Sequence, residues 1–126
     1  LEGRFHLMGD IPDPDVVLRE ANVFVTSSTS EGLGSAALAA MAAGIPVVAT
    51  AVGGLVDLLA EGHGLMVKPG DAQGLAQAVR RVLSDSDLRN QLRSAGRQAS
   101  RNYGVAGMAE RVLEVYRSVA HTLDPS

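Results

Sequence analysis

Short apolar runs alternate with stretches of helical spacing along the chain. Arg4-Phe5-His6-Leu7-Met8-Gly9 is half apolar and is followed by Asp10-Ile11-Pro12-Asp13-Pro14, the pattern of a strand and its exit loop. Asp13 as a cap and Pro14 at the first helical position predict a helix with Val16, Val17, Leu18 and Ala21 on its apolar face. Val23-Phe24-Val25-Thr26 reads as a second strand whose near-continuous apolarity predicts cover on both faces. Gly32 to Gly34 interrupts before Ser35 to Ala43, a run of strong helix formers closed by Gly44. Pro46 to Thr50 is a third strand, and Gly53-Gly54 turns the chain into a short helix over Leu55 to Ala60. Gly64 to Lys68 is a fourth strand, ended by Pro69-Gly70. Three amphipathic packing helices follow. Asp71 caps one with Leu75, Val79, Val82 and Leu83 on a face, and Ser86 caps one with Leu88, Leu92, Ala95 and Ala99. The last sets Met108, Val112, Val115, Tyr116 and Val119 on one side.

Strands alternating with helices give a parallel sheet, because parallel neighbours need long crossover connections. The expected fold is therefore a three-layer α/β, Rossmann-like partial domain: four mostly parallel strands, helices on both faces and a helical C-terminus. With 126 residues, the size of one domain, and no internal linker or repeat, residues 1–126 read as a single domain. A hydrophobic fraction of 46% and a charged fraction of 20% are those of a folded globular chain. The net charge of −3 speaks against a nucleic-acid binder that relies on overall basic charge. Without cysteine there is no disulfide framework, thiolate nucleophile or Cys-ligated zinc site, and His6, His63 and His121 share no metal-ligand spacing. No metal is expected. The longest nearly apolar stretch, Ala36 to Val52, is broken by Gly44 and Pro46 and is too short for a bilayer span, and the first residues lack signal-peptide character. A cytoplasmic location is the expectation.

The strongest local signal runs from Val23 to Met41, where a buried strand passes through Ser27-Ser28-Thr29-Ser30-Glu31 into a glycine turn and an alanine-rich helix. Gly32 and Gly34 let backbone approach a ligand closely, and unpaired amides at the following helix start point at it with the positive end of the dipole. Open α/β sheets bind ligands at such carboxyl-end turns. The plainer reading is that Ser30 or Glu31 caps the helix and the glycines allow tight packing; spacing alone leaves both open.

Gly32, Gly34 and Ala37 also spell G-x-G-x-x-A, the dinucleotide fingerprint. The acid that should end the next strand is missing, since Pro46 to Thr50 runs into Ala51-Val52, so an oxidoreductase is disfavoured. Gly53-Gly54 offers either a second set of free amides or a tight turn. Asp57 and Glu61, one helical turn apart, read as a solvated face. Arg80-Arg81 with Arg89, Arg93, Arg97 and Arg101 reads as an exposed salt-bridged face, with an anionic lipid face or an acidic partner as the alternative. Ser28, Asp57 and His63 make no nucleophile-base order.

Four motifs occur in order: Val25-Thr26-Ser27-Ser28-Thr29-Ser30-Glu31-Gly32-Leu33-Gly34, Met41-Ala42-Ala43-Gly44-Ile45-Pro46-Val47-Val48, Val52-Gly53-Gly54-Leu55 and Gly64-Leu65-Met66-Val67-Lys68-Pro69-Gly70-Asp71. From about Phe5 to Tyr116 the chain resembles the C-terminal, donor-binding domain of the retaining GT-B "group 1" (family 4) glycosyltransferases. The resemblance implies a nucleotide-diphosphate sugar as substrate, no separate cofactor, and Glu31 as the catalytic-site carboxylate that contacts donor-sugar hydroxyls. It further implies that the backbone at Gly32, Leu33, Gly34 and Ser35 meets the sugar and diphosphate, and that Gly9 and Asp10 lie near the nucleobase. A carboxylate beside a helix N-terminus accepts hydrogen bonds from vicinal hydroxyls while the amides receive phosphate.

Two departures qualify what the resemblance implies. The family holds the nucleotide ribose with a second Glu on the helix, eight positions after the first, where this chain has Ala39. Smaller ones are Ser27 for Pro, Leu33 for Phe and Asp57 for Glu. The chain also starts at what would be the third strand of that domain, so the acceptor domain, the first two strands and the basic pair that neutralises the leaving diphosphate are expected to be absent, and sugar transfer by the chain alone is not expected. The alternative is a non-catalytic half-domain acting by self-association or by complementing another chain. In the family's sheet the missing strands would neighbour Val23 to Thr26, so either Phe5 to Met8 moves in beside that strand or two chains pair edges. A dimer is expected.

Overall fold

The computed structural model describes residues 2–122, apart from the side chains at 105, 106 and 120–122. Its centre is a parallel sheet of three strands, β1 (Phe24–Thr26), β2 (Val47–Thr50) and β3 (Leu65–Val67), in that spatial order. Val25 pairs with Val48 and Ala49 with Met66 in the two ladders. β2 lies between its neighbours with all four residues buried, which is why its sequence is continuously apolar up to Thr50.

Two apolar clusters lie on opposite faces of that central strand, because successive side chains alternate. Val47 and Ala49 join Ala37, Ala40 and Met41 of α2 (Ser35–Ala42), Leu55 and Leu58 of α3 (Gly54–Leu58), and Ala99 of α5 (Ser86–Ser100). Leu18 of α1 (Pro14–Glu20) packs against the rim of this cluster. Val48 joins Ala78 and Val82 of α4 (Ala72–Ser84) and Leu92 of α5 on the other face. A last helix, α6, covers Val105–Thr122. Helices on both faces of a parallel sheet are the expected architecture.

Helix ends follow local chemistry closely. Asp13 Oδ1 accepts from Asp15 N–H ahead of Pro14, and Asp71 Oδ1 accepts from Gly74 N–H at 2.8 Å. α2 ends as expected at Gly44, whose φ of 76° permits a double closure: Gly44 N–H donates to Met41 O and Ile45 N–H to Ala40 O, both at 2.9 Å. Replacing Asp71 with Ala removes a side-chain cap from an exposed helix start and is expected to lower stability by about 1 kcal/mol, measured by urea unfolding.

Several expectations are corrected. The sheet has three strands, not four: Phe5 to Met8 is irregular and exposed, with Leu7 at 88% exposure. Among the described residues no backbone hydrogen bond pairs it with a strand, and so short a segment, with Phe5, Leu7 and Met8 all left exposed, buries too little area to hold a place beside β1. The cap of α5 is Asp85, whose Oδ1 accepts from Leu88 N–H at 2.9 Å, one residue before the expected Ser86. Leu83 points outward at the end of α4 while Ala78 takes the inward position. The apolar side of α6, with Met108, Val112, Val115, Tyr116 and Val119, is exposed rather than packed. The arginine row of α5 is not salt-bridged, since no ion pair joins it to a carboxylate among the described residues.

Candidate functional site

β1 and β2 point their carboxyl ends at the same edge of the sheet, where two loops meet. The first, residues 27–34, leads from β1 into α2; the second, residues 51–53, leads from β2 into α3. The junction is backbone on backbone. Gly54 N–H donates to Gly32 O at 2.8 Å, and a Cβ on Gly53 would stand 1.8 Å from the carbonyl oxygen of Glu31. Gly53 also has φ 50° and ψ −138°, a conformation that side-chain-bearing residues rarely adopt. The glycine pair is thus a tight turn, closed by Leu55 N–H donating to Val52 O at 3.1 Å, and it is also the seat on which the Glu31 loop rests.

Polar side chains fix the same loop from inside. Thr50, 3% exposed at the end of β2, donates from Oγ1 to the carbonyl oxygen of Ser28 at 2.5 Å. Ser28 Oγ lies 3.1 Å from Thr26 Oγ1 and donates to Glu31 Oε2 at 3.3 Å. The chain of contacts runs from the buried core of the sheet to the Glu31 carboxylate. Thr50→Val keeps the shape but strands the Ser28 carbonyl, and is expected to cost about 1–2 kcal/mol in a denaturation experiment.

Gly34 is the N-cap of α2, with φ 70° and no side-chain hydrogen bond to the helix start. Ser30 and Glu31 therefore do not cap the helix, whereas Gly34 does allow the tight packing against Leu55 that the plainer reading of that turn expects. The first amides of α2, from Ser35 onward, are left without a side-chain acceptor beneath the positive end of the helix dipole. Gly34 is buried, with Leu55 Cδ2 2.7 Å from where a Cβ would stand, whereas Leu33 beside it is 86% exposed.

The expected site residues fall into two groups. Glu31, Gly32, Leu33, Gly34 and Ser35 form one contiguous loop and helix start. Gly9 and Asp10 lie in the exposed stretch before α1, and among the described residues no hydrogen bond joins them to that loop. Ile11, the next residue, lines an apolar groove of about 400 Å³ with Pro14, Val25, Phe24, Ala36 and Ala39 at the open edge of β1. Ala39 thus faces the groove that runs between the helix start and the segment following Asp10.

Sequence reasoning missed Ser28 and Thr50 as supports of Glu31, although a threonine closing an otherwise apolar buried strand was the available signal. Asp57 and His63 share a cavity with Glu61, Tyr103 and Glu110, and Ser28 is not among its lining residues, so the three make no triad. Among the described residues no group of three or more His, Asp or Glu side chains is disposed to hold a metal ion. No described helix is long and apolar enough to cross a membrane.

Comparison with known proteins places this architecture. Residues 1–99 match the family described as "Glycosyl transferases group 1". D-inositol 3-phosphate glycosyltransferase of Corynebacterium urealyticum is 38% identical over 104 residues, covering 82% of this chain and 24% of that protein. The lipopolysaccharide core biosynthesis glycosyltransferase LpsE of Rhizobium meliloti is 37% identical over 99 residues, 78% of this chain and 29% of that protein. Among solved structures, Anabaena HepE in complex with UDP-glucose superposes with a TM-score of 0.81 at 27% identity, over 94% of this chain and 33% of that one. The chain spans about a quarter of the length of the curated relatives it matches. It belongs to the group 1 glycosyltransferases.

Proposed function

We propose that this chain is the donor-binding part of a glycosyltransferase and that it receives a nucleotide-diphosphate sugar at Glu31–Ser35. The observation that carries the reading is the uncapped start of α2 directly after Glu31, a carboxylate held at 3.3 Å by Ser28. In this reading the amides from Gly32 to Ser35 take the diphosphate oxygens, and Glu31 accepts hydrogen bonds from vicinal hydroxyls of the sugar. No metal or separate cofactor has a part in it. The groove past Ala36 and Ala39 toward Ile11 takes the nucleoside, and Gly9 and Asp10, which precede Ile11 in the chain, meet the nucleobase. Support comes from the family match and from the superposition on HepE solved with UDP-glucose.

Sugar transfer, in the same reading, needs groups beyond these residues. The leaving diphosphate carries the developing negative charge, and stabilising it is the main task of such a site. No arginine or lysine side chain is hydrogen-bonded or ion-paired to the Glu31 loop among the described residues. Binding is accordingly expected to be weak, with a Kd on the order of millimolar. Calorimetry with a nucleotide diphosphate and the matching nucleotide-diphosphate sugar checks the role of Glu31. Glu31→Gln is expected to erase the difference between the two ligands while leaving diphosphate binding in place; loss of both together would tie Glu31 to the loop's fold instead.

A second reading rests on the open edge of β1, where Val25 is 41% exposed and Phe5 to Met8 does not cover it. We propose that this edge pairs with a second copy or a complementing chain, giving a dimer in solution. Light scattering over a dilution series decides it: a monomeric mass at micromolar concentration with cooperative unfolding contradicts the dimer.

A further inference from the structure

α4 and α5 turn their apolar sides inward, burying Val82 and Leu92. α6 is placed the other way round. Its polar side, with Glu110 and Glu114, lines a cavity shared with Asp57, Glu61 and His63 of the body of the fold. Met108, Val112, Val115 and Val119 recur at spacings of four, three and four, fall together on the opposite side of the helix and are exposed, with Tyr116 beside them at 70% exposure. A helix that only closed its own domain would bury that side.

The apolar surface continues from the helix onto the body. Leu33 and Tyr103 line a groove of about 610 Å³ together with Met108, Val112, Val115 and Tyr116. Arg111, the charged residue of that lining, is already engaged: it lies over the Tyr103 ring, 5.1 Å from its centre, and its Nη2 donates to the carbonyl oxygen of Asn102. Leu33, Met108, Val112, Val115, Tyr116 and Val119 together expose on the order of 800 Å², more than the largest apolar patch of an ordinary monomer and about what each side of a stable interface buries.

We propose that the apolar side of α6 pairs with the same side of α6 in a second copy of this chain, the two helices antiparallel about a two-fold axis. In that arrangement Met108 of one copy meets Val119 of the other and Val112 meets Val115, so every layer of the seam is apolar and both copies make the same contacts. The area exposed is sufficient for such a pair without help from other surfaces. A lipid surface fits less well. Interfacial helices carry an excess of Lys and Arg on the polar side, whereas Glu110 and Glu114 here balance Arg111 and Arg117. The contact uses a different surface from the open edge of β1 and does not rest on pairing there.

Sedimentation equilibrium over a dilution series from about 1 to about 100 μM tests this. The full chain is expected to be a dimer, and V25K, which puts a charge on the open edge of β1, is expected to remain one. V112Q/Y116Q removes apolar contact at four places in each dimer and is expected to raise the dissociation constant about 100-fold or more. Gln is a good helix former, so α6 itself is not weakened. R117Q alters the polar side of the same helix and is expected to leave the mass unchanged, with circular dichroism showing every variant folded. A monomeric chain at all concentrations, a monomeric V25K, an unchanged V112Q/Y116Q, or equal shifts in V112Q/Y116Q and R117Q overturns the proposal. Sedimentation of a monomeric chain with phosphatidylcholine vesicles would replace the second copy with a lipid surface.

Discussion

Gly53→Ala is expected to destabilise the protein by about 3 kcal/mol or more, a large part of the stability of an ordinary domain. The new methyl group would stand 1.8 Å from the carbonyl oxygen of Glu31, and that neighbour is backbone, so no side-chain rotation relieves the overlap. Either the loop over residues 27–34 or the start of α3 must move. Gly62→Ala is the comparison: its φ of 81° is also positive, but nothing lies within 4 Å of the added carbon. That variant is expected to lose about 1 kcal/mol. Urea midpoints of the two are expected to differ in that order, and similar losses would show that the two loops do not rest on one another.

Ala39→Glu is expected to tighten nucleotide-diphosphate binding about tenfold, as a carboxylate gains the ribose hydroxyls that a methyl cannot hold. Position 39 is exposed on α2 and glutamate is a good helix former, so stability should change little. Ala39 lines the groove that also contains Ile11 and Ala36, within reach of a nucleoside whose phosphates sit at the helix start. Arg19 and Asp15 share a second cavity with Ala39, so the new carboxylate meets one cation and one anion of the protein itself. Calorimetric titration checks the gain; an unchanged affinity in a folded variant would place the ribose elsewhere.

What the sequence made legible was what local chemistry decides. Gly44 closes α2, Asp71 caps α4, and the continuous apolarity of Val47 to Ala49 marks a strand covered on both faces. Patterns that need a partner to become structure misled. Phe5 to Met8 has the composition of a strand but pairs with no strand among the described residues, and Met108, Val112 and Val115 have helical spacing but stay exposed. The arginine row suggested ion pairs from charge alternation, yet whether a carboxylate stands within reach is decided by tertiary geometry. The Glu31 loop was visible as residues but not as a mechanism. That Gly53 seats it, and that Thr50 holds Ser28, depends on two carboxyl ends of adjacent strands lying side by side. Such contacts between loops distant in sequence carry no periodic signature.

The central claim is that the start of α2 after Glu31 receives the diphosphate of the donor. Amide chemical shifts recorded during titration with a nucleotide-diphosphate sugar test it most directly, because the groups proposed to bind are the ones observed. The expected result is a set of saturating shifts centred on Gly32, Leu33, Gly34, Ser35 and Ala36, with smaller changes toward Ala39. Shifts centred on the cavity lined by Asp57, Glu61 and His63, with the helix start unmoved, would contradict the account.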